Sequence, residues 1–120
     1  MIRVKDVKKA YRDYKLFPIS RGFFHYTLGV KLRICGACAL GALYISKHFP
    51  KGLRRPLLTY ANVQANGTAR QWANETYGKE YAFGFIRGFD KRPLDAYKYQ
   101  SERRREGWYH GLACRDAMGL

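Results

Sequence analysis

Apolar and charged positions alternate closely along most of this chain, and only Ile34 to Ile45 forms a run free of both charged and amide side chains that is long enough to be buried on all sides. Within it Leu40, Leu43 and Tyr44 stand three and four residues apart, while Gly36, Ala37, Ala39, Gly41 and Ala42 let another backbone come close. The pattern predicts a central core helix over this run. Its 12 residues, bracketed by Arg33 and Lys47, fall short of the ~20 that cross a bilayer.

The other segments are predicted to surround that helix. Val4, Val7, Tyr11 and Tyr14 make an apolar stripe among Lys5, Lys8, Lys9, Arg12 and Lys15, predicting an amphipathic helix over about residues 4 to 15. Phe23 to Leu28 is aromatic and β-branched and reads as a strand. With Gly29 as turn and Val30 to Ile34 as the returning strand, one short β-hairpin is the only sheet candidate. Pro50, Gly52 and Pro56 interrupt the chain after the central helix, and Leu57 to Val63 resumes apolar character as a short helix ending at Asn66-Gly67.

Thr68-Ala69-Arg70-Gln71 has the form of a capping box, opening a helix from about Ala69 to Tyr77 that Gly78 ends. Lys79 to Phe89 reads as a further helix with Ala82, Phe85, Ile86 and Phe89 on one face and Gly84 and Gly88 four apart. A last helical region runs from Pro93 or Asp95 to Met118, its inner edge traced by Trp108, Leu112 and Cys114 or Arg115. Tyr81-x-x-Gly84 is echoed by Trp108-x-x-Gly111, so the last two helices are expected to pack glycine face to glycine face. Fold class is accordingly mostly α: a small single-domain helical bundle over residues 1–120.

Composition adds a partner class. The chain carries 23 Lys and Arg against 9 Asp and Glu, a formal charge of +14, together with ten Tyr and seven Phe. Such self-repulsion is relieved by an anion, and a basic surface with aromatic rings suits nucleic acid. The positive residues gather on the first helix and in three further clusters: Lys51, Arg54 and Arg55; Lys91 and Arg92; and Arg103, Arg104 and Arg105. These eight are the candidate nucleic-acid-binding residues. Three successive arginines on a helix spread over about 200° of its circumference, so at most two of the last cluster face a common partner.

Enzyme chemistry finds no motif: there is no phosphate loop, nucleophile elbow or paired acidic constellation, and neither His25 nor His48 has a carboxylate at a useful spacing. Cys35-x-x-Cys38 with His110-x-x-x-Cys114 has the ligand types and pair spacings of a zinc site. The small apolar setting of the first pair instead favours buried core thiols without metal. No cofactor is expected. Three cysteines and a charged N-terminus without an apolar signal core point to a reducing cytoplasm, bacterial or of a phage-infected cell.

Thr27-x-Gly29-x-x-Leu32-Arg33 followed by Cys38-Ala-Leu-Gly41-Ala-Leu43, and the later Gly84-Phe-Ile-Arg-Gly88-Phe-Asp90, resemble segments of small bacterial and phage proteins in which an extended stretch leads into a Cys-x-Leu-Gly helix. That resemblance implies a phage or mobile-element origin and brings no activity with it. The expected role is therefore a small non-enzymatic protein that associates with nucleic acid, DNA or RNA, through the phosphate backbone. The alternative is a phage-encoded protein-protein module that docks on a host nucleic-acid machine or a virion component. A helix-turn-helix at Gly78 is disfavoured, since the second helix is too apolar and glycine-rich to read a groove.

Overall fold

The computed structural model describes residues 1–19, 22–26, 34–49, 68–93 and 101–119. Within them lie α1 (Val4–Tyr14), β1 (Phe17–Pro18), β2 (Phe24–Tyr26), β3 (Ile34–Ala37), α2 (Ala39–His48), α3 (Ala69–Tyr77), α4 (Lys79–Phe89) and α5 (Glu102–Ala117). The domain is mostly helical, as the apolar periodicities predict, and its small sheet has three strands, β1 joining the two of the expected hairpin. The expected short helix over Leu57 to Val63 lies outside the described residues.

The central helix is present, but it starts later than the apolar run. Ile34–Ala37 is a strand rather than its first turn, and Cys38 is the N-cap, its Sγ accepting the Gly41 amide at 3.4 Å. An unbroken apolar run carries no period that separates strand from helix, and here the sheet claims its first four residues. β3 is the middle strand: Phe17 and Pro18 of β1 pair with Gly36 and Ala37 in parallel, and β2 pairs antiparallel with Phe24 opposite Ala37. The predicted hairpin partners thus exist, with the returning strand four residues later than expected and the Gly29 turn outside the described residues. Pro18 sits in an edge strand, where its missing N–H costs the ladder nothing.

Every residue of α2 from Ala39 to Ile45 is buried. Gly41 faces the Phe23 carbonyl so closely that any side chain there would overlap it. α1 lies across α2 on Val7, Ala10, Tyr11 and Tyr14. Its two tyrosines tie down both ends of the central unit, the Tyr11 hydroxyl donating to the Ala37 carbonyl at 2.7 Å and the Tyr14 hydroxyl to the Phe49 carbonyl.

α4 and α5 pack as a parallel pair through four glycines. Gly84 meets the backbone of Arg104 and Trp108, and Gly88 that of Trp108 and Leu112. In return Gly107 meets Tyr81 and Phe85, and Gly111 meets Phe85 and Phe89. A Cβ at any of the four would stand only 1.9–2.2 Å from a carbonyl oxygen on the facing helix, far inside van der Waals contact. The expected glycine-to-glycine packing is therefore present, with Gly107 as a fourth member. The inner edge of α5 is Gly107, Gly111 and Cys114; Trp108 and Leu112 flank it half-buried. The Trp108 indole donates to the Arg92 carbonyl at 2.8 Å and the Arg115 guanidinium to the Phe89 carbonyl at 3.1 Å, closing the pair beyond the last turn of α4.

Candidate functional site

The outer face of α4 is built differently from its glycine face. Lys79, Phe83, Ile86 and Arg87 recur at three- and four-residue steps, so they form one stripe along the helix. α3 runs beside them, its start fixed by the Thr68 hydroxyl accepting the Gln71 amide at 3.1 Å. The expected capping box closes only by half, because the Gln71 side chain turns to Glu75 at 3.1 Å. Gly78 at φ 90° ends α3 and starts α4 in one residue, a conformation that suits glycine alone, and it sets the angle between the two helices.

Between them opens a groove of about 250 Å³. α3 contributes Arg70 and Asn74, α4 contributes its stripe, and the turn after α4 adds Arg92. Four of the seven described lining residues are cations and none is a carboxylate. Phe83 is 39% exposed and, with Met1, Phe17 and Tyr109, is one of the exposed large apolar side chains among the described residues. Two guanidinium groups hold its ring: Arg104 of α5 lies 4.4 Å and Arg87 5.4 Å from the centroid. Arg104 is fixed in turn by Glu80, whose carboxylate accepts its Nε at 2.7 Å and the Ser101 hydroxyl at 3.3 Å. The hydrogen bond from Arg104, helped by its charge, holds the Glu80 carboxyl below its usual pKa.

A second concavity, of about 260 Å³, lies between α1, α2 and α3, lined by Lys9, Ser46, Lys47, Trp72 and Tyr77, but Asp6 enters it and offsets part of its charge. The basic face of α1 carries Arg3, Lys5, Lys8, Lys9 and Arg12 with Asp6 among them. Of the three, the α3–α4 groove is the one that combines a carboxylate-free cationic lining with an exposed ring.

The predicted basic clusters divide across the surface. Lys51, Arg54 and Arg55 lie outside the described residues. Arg92 lines the groove, whereas Lys91 takes a left-handed turn conformation at φ 55° and does not line it. Of the three arginines on α5, Arg104 alone reaches the groove ring. Arg103 pairs with Glu106 at 2.9 Å and lies over Tyr81 at 5.2 Å, and Arg105 is exposed elsewhere on the helix. Arg70, Lys79, Phe83 and Arg87 are not among the residues that the sequence singles out. Each is isolated in the chain, and only the i, i+4 spacing of Lys79, Phe83 and Arg87 marks a shared face.

Three of the four residues with zinc-like spacing have separate hydrogen-bond partners, and the fourth, Cys114, is buried in the core. Cys38 caps α2, Cys35 Sγ lies 3.5 Å from the His25 carbonyl, and His110 Nδ1 is hydrogen-bonded to the Tyr81 hydroxyl at 2.6 Å. Among the described residues no three His, Cys, Asp or Glu side chains are gathered as metal ligands. Burial pushes the Cys38 thiol up to about 12 and the Cys114 thiol up to about 11, so both are protonated at neutral pH. Among the described residues no helix is long and apolar enough to cross a membrane. No family model matches this chain, and neither a curated protein nor a solved structure shows significant similarity to it.

Proposed function

We propose that this protein is a non-enzymatic nucleic-acid-binding protein whose interface is the groove between α3 and α4. The observation that carries the reading is the lining of that groove, in which Arg70, Lys79, Arg87 and Arg92 stand around Phe83 with no carboxylate among the described residues that line it. Cations drawn from two helices and a turn into one concavity repel one another, and a polyanion relieves that repulsion. Phosphates would supply it, each neutralised phosphate releasing counterions and tying affinity to salt. The formal charge of +14 extends the same attraction beyond the groove and favours rapid, weakly sequence-dependent association.

Binding of labelled DNA and RNA oligonucleotides, titrated at several salt concentrations, tests the reading. The logarithm of the association constant is expected to fall linearly with the logarithm of salt concentration. The triple variant R70A/K79A/R92A should flatten that line by about one unit of slope for each phosphate that no longer meets a cation. Absence of binding near physiological salt, binding insensitive to salt, or a triple variant with an unchanged slope would overturn it.

A further inference from the structure

We infer that the groove selects single-stranded over double-stranded nucleic acid, with Phe83 as the stacking platform for one unpaired base; this rests on the nucleic-acid reading of the same groove. Three observations lead there. The exposed ring stands inside a concavity of about 250 Å³ rather than on a ridge, so a base reaches it only after leaving its own stack. Bases of a duplex are held in their stack, and those of a single strand splay out freely. The ring is also held in place before any ligand arrives, by Arg104 at 4.4 Å and Arg87 at 5.4 Å, and Arg104 is itself anchored to Glu80 at 2.7 Å. A pre-positioned ring loses little freedom when a base stacks on it. Finally, cations from α3, α4 and the turn after it, Arg70, Lys79 and Arg92 among them, line the same concavity as the ring, so the phosphates flanking a stacked nucleotide have partners within the groove. Every base has a π-face, so this stacking selects strandedness without selecting sequence.

The experiment compares F83A and F83W with the unaltered protein on three probes of equal length: a single strand, the matching duplex, and a single strand made wholly of abasic sites. Phe83 is an exposed side chain, and circular-dichroism melting checks that both variants remain folded. The unaltered protein should prefer the single strand to the abasic strand and to the duplex. F83A should lose roughly five- to a hundredfold in affinity for the single strand alone, with its salt slope unchanged, and F83W should restore it. Equal losses on all three probes, or no loss on the single strand, would overturn the stacking inference while phosphate binding stands. Failure of every probe to bind would overturn the reading of the groove itself, and this inference with it.

Discussion

The two faces of α4 show opposite solutions to packing a neighbour. On the face towards α5, Gly84 and Gly88 have no side chains, and the facing backbone comes into direct contact through Gly107 and Gly111. On the face towards α3, long side chains at Lys79, Phe83 and Arg87 leave a groove open beside the helix. The closed face is rigid and can hold the open one in register: Arg104, which steadies Phe83, sits one turn before Trp108 on the helix that the glycines clamp. A strip of glycines on one side is thus what positions a binding surface on the other. This division of labour can be tested from either side.

The largest effect is expected on the closed face. G84A, G88A, G107A or G111A puts a methyl group into a backbone carbonyl of the facing helix, and backbone cannot turn aside as a flexible side chain would. Each is expected to lower stability by more than about 3 kcal/mol in denaturant unfolding, at the upper end of overpacking effects. G78A is the control: nothing lies within 4 Å of a Cβ there, so it carries only the backbone strain of φ 90° and ψ 139°, a region all but confined to glycine, about 1–3 kcal/mol. If the two kinds of glycine cost the same, the seam is not closed by backbone contact.

That seam is partly legible in the chain. Gly84 and Gly88 at one-turn spacing, with Gly111 in an echoing motif, announce a close approach; the Thr68 cap and Gly78 place the ends of α3, and apolar periodicity those of α4. Its parallel sense is not legible, because a glycine spacing reads the same in either direction. Gly107 is hidden behind Trp108, whose size suggests an inward position it only half occupies. Ile34 to Ala37 misleads for the opposite reason: sheet pairing with residues 8 to 19 positions earlier decides its conformation, and nothing local does. The groove is the least legible part. Its cations come from Arg70, Lys79, Arg87 and Arg92, and runs such as Arg103 to Arg105 draw attention away from charges that only the packing of two helices brings together.

A smaller effect separates the buried core beneath both faces from the open groove, and it appears at high pH. The Cys38 and Cys114 thiols, ordinarily near 9.0, are pushed up to about 12 and about 11 by burial, and Tyr11, Tyr44, Tyr77 and Tyr81 are raised in the same direction for the same first cause. Above pH 9 the unfolded chain gives up these thiol protons while the folded chain keeps them. Folded stability from the thiols is therefore fully present below about pH 9 and is lost as pH rises towards 11 and 12, by about 1.4 kcal/mol per pH unit for each thiol. Denaturation midpoints across this range check the sign, and C114A should remove about half of the slope between pH 9 and 10, below the point at which the tyrosines add to it. In the folded protein at pH 8, a thiol reagent is expected to modify half-buried Cys35 well before Cys38 and Cys114. Uniform labelling of all three would show the core to be open.

The smallest expected effect lies where the two faces of α4 meet. Glu80 stands at the first turn of the helix and accepts hydrogen bonds from Ser101 and Arg104, so it joins the start of the glycine seam to the guanidinium over Phe83. It also cancels the charge of the arginine nearest the platform. E80Q keeps the shape and an acceptor oxygen but removes the negative charge. The Arg104 charge is then uncompensated beside the ring, and a phosphate can take the place of the carboxylate. Affinity for a single strand is expected to rise a few-fold at low salt, and the salt slope to steepen by about 0.7, the value for one further phosphate on a single strand. Since Glu80 titrates below its usual value when paired, the unaltered protein should approach the behaviour of E80Q as pH falls through that depressed pKa. A loss of affinity in E80Q would instead mean that Glu80 serves the groove by holding Arg104 still, and that the seam and the platform depend on one another more tightly than charge alone requires.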